Sequence, residues 1–186
     1  MPPLISLKSP AEEDLSVPSE GSRQSQTAAT CKIFKKQVAF DSVLPIIPHV
    51  LAILDTSVLV AGLRSKRGAS FQIIQAIRAG NLRISVSVAL VLEYESVLLR
   101  SGLIPGFAPE EIHRILDAIC LMAQHRKVFF AWRPFLPDPN DDLVLELAVA
   151  ASAPYIITHN FSDFVGSDTL GVRAITPATA LKIIKP

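Results

Sequence analysis

Short, unbroken apolar runs separated by helix-length amphipathic stretches constrain this chain more than any other feature. "HVLAILD" is apolar from Val50 to Leu54 with no polar alternation. A strand with one wet face alternates, whereas one that does not is buried on both faces, as in a parallel sheet. "PYIITHN" repeats the pattern, and "NLRISVS", "KVFFAW" and "VRAIT" read as three further strands. Between them lie "ASFQIIQAIRAG", "VALVLEYESVLLRSG", "APEEIHRILDAICLMAQH" and "DDLVLELAVAASA", with "PATALKII" at the end. These carry apolar residues at helical spacing, or proline and acids at the first turn. Strands alternating with helices predict an α/β fold, three layers deep, with a central, mostly parallel sheet and right-handed crossovers.

The pattern begins only near residue 49. Residues 1 to about 30 are rich in Ser, Pro, Gln and Thr, and Pro45 and Pro48 interrupt the stretch that follows. The expectation is a poorly ordered tail and linker over 1–48 and one domain over 49–186. A net charge of +1 gives no global attraction to nucleic acid, so any such binding must come from a local patch. The apolar stretch 43–63 is broken by Pro45, Pro48, His49 and Asp55, short of the ~20 residues of a membrane span. An early acidic run, Glu12 to Asp14, argues against a secretory signal. Cys31 and Cys120 form neither a metal-ligand pattern nor a disulfide framework, which suits a reducing cytoplasm.

Acids fall where such folds place their sites, at the carboxyl ends of strands. Asp55 follows the first buried run, Asp163 lies just past "YIIT", and Asp138, Asp141 and Asp142 open the helix before it. Glu93 sits about one and a half turns into the helix after Ser87. Carboxylates that converge repel one another unless protons are shared or a cation lies among them. An all-oxygen set favours a hard ion, Mg²⁺ or Mn²⁺, able to activate water against a phosphodiester. Each acid also has a plainer role: Asp55 as a turn cap, Asp141, Asp142 and Asp163 at helix starts, Glu93 as a solvated helix residue.

These motifs, in this order, resemble the PIN-domain family, and specifically the ribonucleases that serve as toxins of toxin–antitoxin pairs (VapC-like). The resemblance covers about residues 50 to 182. "LDTSVLVAGL", "ISVSVALVLEYESVLLR", "DPNDDLVLELAVAASAPYIITHN" and "GVRAITPATAL" carry it. It implies a PIN-like fold and a Mg²⁺- or Mn²⁺-dependent endoribonuclease with Asp55, Glu93, Asp142 and Asp163 as catalytic metal ligands. Thr56, Ser57, Asn160 and Asp141 would support them by hydrogen bonding. It further implies an RNA substrate, an antitoxin partner and a homodimer, with no membrane association. One departure stands out. Many members carry Asp two residues after the strand-ending threonine, where this chain has Asn160, so Asp163 is the expected fourth acid.

Arg64, Lys66 and Arg67 form a basic run after the first motif, either a solvated face or a phosphate-positioning patch. Phe129, Phe130 and Trp132 read as core or interface rather than a platform for bases. His113 and His125 read as helix-surface residues, and His159 as a neighbour of the site rather than a ligand. The rival function is a catalytically inactive PIN-like interaction module. A phosphoreceiver is disfavoured because no acid neighbours Asp55 and no lysine follows a late strand. A haloacid-dehalogenase-type phosphatase is disfavoured because Ser57 stands where a second aspartate is required.

Overall fold

The apolar run around Ile53 becomes the central strand. In the computed structural model, which describes residues 50–129 and 134–184, β1 (Val50–Leu54) pairs with β2 (Leu82–Val86) on one side and β4 (Tyr155–Ile157) on the other. β3 (Gln124–His125) lies beyond β2, and β5 (Arg173–Ile175) beyond β4, giving the order β3-β2-β1-β4-β5. Every pairing is parallel. Ala52 lies opposite Ile84 on one side and Tyr155 on the other. Successive side chains of a strand point to opposite faces, so the burial of Ala52, Ile53 and Leu54 in a row means that both faces are covered. The expected three-layer α/β arrangement follows. The tail expected over 1–48 lies outside the described residues.

Six helices join the strands among the described residues: α1 (Thr56–Arg64), α2 (Ala69–Arg78), α3 (Val88–Leu98), α4 (Pro109–Met122), α5 (Pro139–Ala150) and α6 (Pro177–Ile184). α4 starts as its sequence predicts, with Pro109 in the first turn and the Glu111 carboxylate accepting from the Ala108 N–H. α1 and α2 pack closely because Gly62 has no side chain. A Cβ there would stand 2.5 Å from Ile74 Cδ1 and 3.2 Å from the Ser70 backbone. α3 is tied to the sheet by Tyr94, fully buried, whose hydroxyl donates to the Leu54 carbonyl. That bond fixes α3 one residue away from Asp55.

Two expectations fail on the β2 side. The third strand is Gln124–His125, not "KVFFAW", and His125 belongs to it rather than to a helix. α4 stops at Met122, Ala123 turns extended, and Gln124 then pairs with Ser85. Pairing supplies backbone partners that a further helical turn would forgo, and the Arg126 N–H continues it to the Val86 carbonyl at 2.9 Å. Lys127–Phe129 belong to no strand, and Phe129 is 81% exposed, so it is not core. Phe130 and Trp132 lie outside the described residues.

Candidate metal centre

The chain adds β2 and β3 on one side of β1, then crosses to place β4 on the other. The resulting switch in direction opens a crevice at the carboxyl ends of β1 and β4. Asp55 stands there, buried, its N–H donating to the Ile157 carbonyl at 3.0 Å. Its Oδ2 accepts from the hydroxyls of Ser57 and, at 2.7 Å, Thr158. Each hydroxyl is itself aimed by a backbone donor: the His159 N–H reaches Ser57 Oγ at 3.2 Å, and the Asn160 N–H reaches Thr158 Oγ1 at 2.9 Å. Oδ2 is thereby saturated, while Oδ1 accepts no bond among the described residues.

Ser57 supports Asp55 as expected, whereas Thr56 serves Glu93. Its hydroxyl donates to Glu93 Oε1 at 2.7 Å. Glu93 Oε2 is buried and has no hydrogen-bond partner. Burial pushes the Glu93 carboxyl up from its ordinary value; the Thr56 bond opposes this, nearby Asp55 adds to it, and Arg100 and Asp138 act more weakly, down and up respectively.

The two aspartates at the start of α5 part company. Asp142, 1% exposed, turns inward. Its carboxylate accepts from the Phe135 N–H at 3.1 Å and the Leu136 N–H at 2.8 Å, anchoring the loop that leads into the helix. Both oxygens of Asp142, expected as a metal ligand, accept from these backbone N–H groups. Asp141 is half-buried, and its carboxyl is pushed up to about 6, first by burial and then by the charges of Asp138, Asp55, Asp163 and Glu93. The charges of four other carboxylates thus act on Asp141.

Asp163 sits in a short 3-10 turn (Phe161–Phe164) after β4, accepting from Ser162 Oγ at 3.3 Å. Asp138 caps α5 by accepting from the Asn140 N–H at 2.9 Å. Asn160 contributes its backbone N–H, and its side chain is exposed. Arg64, Lys66 and Arg67 are exposed at the far end of α1 and in the loop after it, about 13 Å of helix from Thr56. They do not figure among the charges acting on Glu93 or Asp141; the cation acting on Glu93 is Arg100. His159 bonds Ser70 Oγ at 2.8 Å, joining α2 to the site's rim, and His113 pairs with Glu95 at 3.1 Å on the surface.

Thr158 and Arg100 escape the sequence reading. Thr158 was visible as the end of "YIIT" but only as a strand marker, and nothing local to Arg100 distinguishes it from other surface cations.

The donors are all oxygen, which suits a hard divalent ion. An unpartnered buried carboxylate oxygen on Glu93 and a free Oδ1 on Asp55 are what such an ion would satisfy. No three Asp, Glu, His or Cys side chains among the described residues already form a ligand set. Mg²⁺ does not require one, since it usually keeps several waters and takes one or two carboxylates.

No helix among the described residues is long and apolar enough to cross a membrane. Two solved structures have similar backbones. VapBC2 from Rickettsia felis, bound to a DNA fragment from its promoter, gives a TM-score of 0.49 at 16% identity over 68% of this chain and 98% of that one. FitAB bound to an IR36 DNA fragment gives 0.47 at 15% identity over 68% and 94%. No curated protein matches the sequence significantly. The model of the PIN domain matches residues 52–162, well over half of the chain. That stretch contains Asp55, Glu93, Asp138, Asp141 and Asp142 and ends one residue before Asp163. The chain belongs to the PIN domain family.

Proposed function

We propose that this protein is a divalent-metal-dependent endoribonuclease whose ion is held by Asp55, Glu93 and Asp141, with Asp163 and Asp138 completing the negative field. Five carboxylates that repel one another, one of them with a buried oxygen lacking a partner, support this function. PIN domains are generally nucleases that use divalent ions, which agrees with it. A bound Mg²⁺ or Mn²⁺ supplies an activated water and neutralises charge developing on a phosphoryl oxygen. The chain's own residues prepare the place. Ser57 and Thr158 immobilise one Asp55 oxygen and leave the other turned to the crevice. Thr56 does the same for Glu93. Asp141 keeps its proton to higher pH than an ordinary aspartate and gives it up when a cation arrives.

Cleavage of a mixed-structure RNA by the wild type and by Asp141→Asn, with Mg²⁺, Mn²⁺ or EDTA, tests this. Metal-dependent cutting that the substitution removes is the expected result. An inactive interaction module is the second reading, favoured by the lack of a ready three-residue ligand set among the described residues. Folded wild type that neither cuts RNA nor binds Mn²⁺ by calorimetry is its signature. An antitoxin partner, a homodimer and a cytoplasmic location are proposed with the nuclease on the strength of the resemblance alone.

A further inference from the structure

Beside the acidic crevice runs a groove of about 600 Å³ that none of the chemistry above uses. It lies along the same carboxyl edge of the sheet, shifted toward β3. Ser87, which follows β2, and Arg126, which follows β3, both line it. On α3 its wall includes Leu92, the neighbour of Glu93. On α5 it includes Leu143, two residues past Asp141. The groove and the metal centre thus draw on the same two helices and the same edge of the sheet.

Its lining combines two features that rarely coincide on an idle surface. Val88, Leu92 and Phe129 stand 73%, 58% and 81% exposed, an apolar strip with an aromatic ring open to water. Arg126 and Lys127 lie beside them, and neither belongs to an ion pair. Among the described residues the Arg126 guanidinium has no carboxylate partner. The single acid of the lining, Glu146, is 5% exposed and withdrawn from the surface. A ligand suited to both features has flat apolar faces and regularly spaced negative charges.

We infer that this groove seats the unpaired nucleotides flanking the cleaved bond of a single-stranded RNA. Phe129 stacks on a base, Val88 and Leu92 close the apolar side, and Arg126 and Lys127 hold the backbone phosphates. Stacking on an exposed aromatic is tolerant of sequence, because every base has a π-face. The two cations also offset the repulsion that five carboxylates exert on an incoming polyanion. The assignment rests on the nuclease reading and adds the position and conformation of its substrate.

The test is binding of a 5′-labelled single-stranded 12-mer RNA to the full chain in EDTA, read by fluorescence anisotropy, alongside cleavage in Mn²⁺. Phe129→Ala should weaken binding about 10-fold, the size expected for one lost base stack. Phe129→Tyr should restore it and Phe129→Leu should not. Arg126→Ala with Lys127→Ala should reduce the salt slope by about one, as expected for two lost phosphate contacts. An abasic site scanned along the RNA should, at one position, erase the difference between wild type and Phe129→Ala. Leu121→Ala, an equally exposed apolar residue on α4, is the control that should change nothing. If the wild type cuts RNA and Phe129→Ala binds and cuts within twofold of it, the groove is not the subsite and the nuclease stands. A Phe129→Ala effect on self-association but not on RNA likewise overturns the proposal in favour of a protein interface. A wild type that neither binds nor cuts RNA overturns both readings together.

Discussion

Asp141 and Asp142 are adjacent in sequence, and replacing each with asparagine should move stability in opposite directions. The carboxyl of Asp141 is held at about 6 against an ordinary value of 3.8, so ionising it in the folded protein is unfavourable. At 1.36 kcal/mol per pKa unit the full penalty is about 3 kcal/mol. Asp141 is only half-buried, and solvent screening reduces this to about 1 kcal/mol. Because the folded value lies above the unfolded one, the penalty is complete above pH 6 and vanishes as pH falls below 4. Asp141→Asn removes it and should raise the melting temperature of the metal-free protein by about 2–4 °C at pH 7.5, with no gain at pH 4. Asp142→Asn does the reverse. Its carboxylate satisfies the Phe135 and Leu136 N–H groups at 1% exposure, and an amide has only one acceptor oxygen to offer. Oδ1 already accepts from both N–H groups, so losing the second oxygen weakens the pair rather than orphaning a donor and costs about 1–2 kcal/mol, a fall of roughly 2–8 °C. Scanning calorimetry in EDTA at both pH values measures all of this, and an RNA cleavage assay on the same samples separates stability from activity. Asp142→Asn that melts like wild type yet no longer cuts, beside Asp141→Asn that cuts normally, would refute the assignment of roles.

Divalent-ion affinity should climb with pH up to about 6 and level off above it, since binding displaces the Asp141 proton; Mn²⁺ titration calorimetry from pH 5 to 8 checks the profile, and a flat one removes Asp141 from the centre. Adding Mg²⁺ at 100 times its dissociation constant should stabilise the fold by about 2.7 kcal/mol, and EDTA should reverse this in a thermal melt. Thr158→Val should cut activity about 10- to 100-fold by releasing Asp55 Oδ2, with Thr158→Ser close to wild type. Tyr94→Phe should cost about 1–2 kcal/mol in denaturant melts, because the Leu54 carbonyl loses its buried donor, while cleavage survives.

The sheet was legible because β1 and β4 announce themselves as unbroken apolar runs between helix-length stretches, and the carboxyl end of β1 pointed to Asp55 before any coordinates. Glu93 was legible for a similar reason, its distance from Ser87 along one helix. The choice between Asp141 and Asp142 was not. Neighbours on a helix point about 100° apart, so one faces the crevice and the other the interior, and only the position of the 134–136 loop decides which. β3 is two residues long, too short for any periodicity. Of the two places read for Phe129, core or interface, its exposure rules out the core, because apolar character predicts burial poorly at a single position: much of a folded surface is apolar.

The main-chain donors of His159 and Asn160 have a consequence for how this site can change over time. What these two positions give the centre is an N–H each, and a backbone amide is present whatever side chain is attached, proline excepted. The Asn160 side chain is therefore free to change while Asp55 stays oriented, whereas His159 is also tied to Ser70. Exchanging Asn160 for aspartate would therefore change the charge at the rim without rebuilding the turn beneath it.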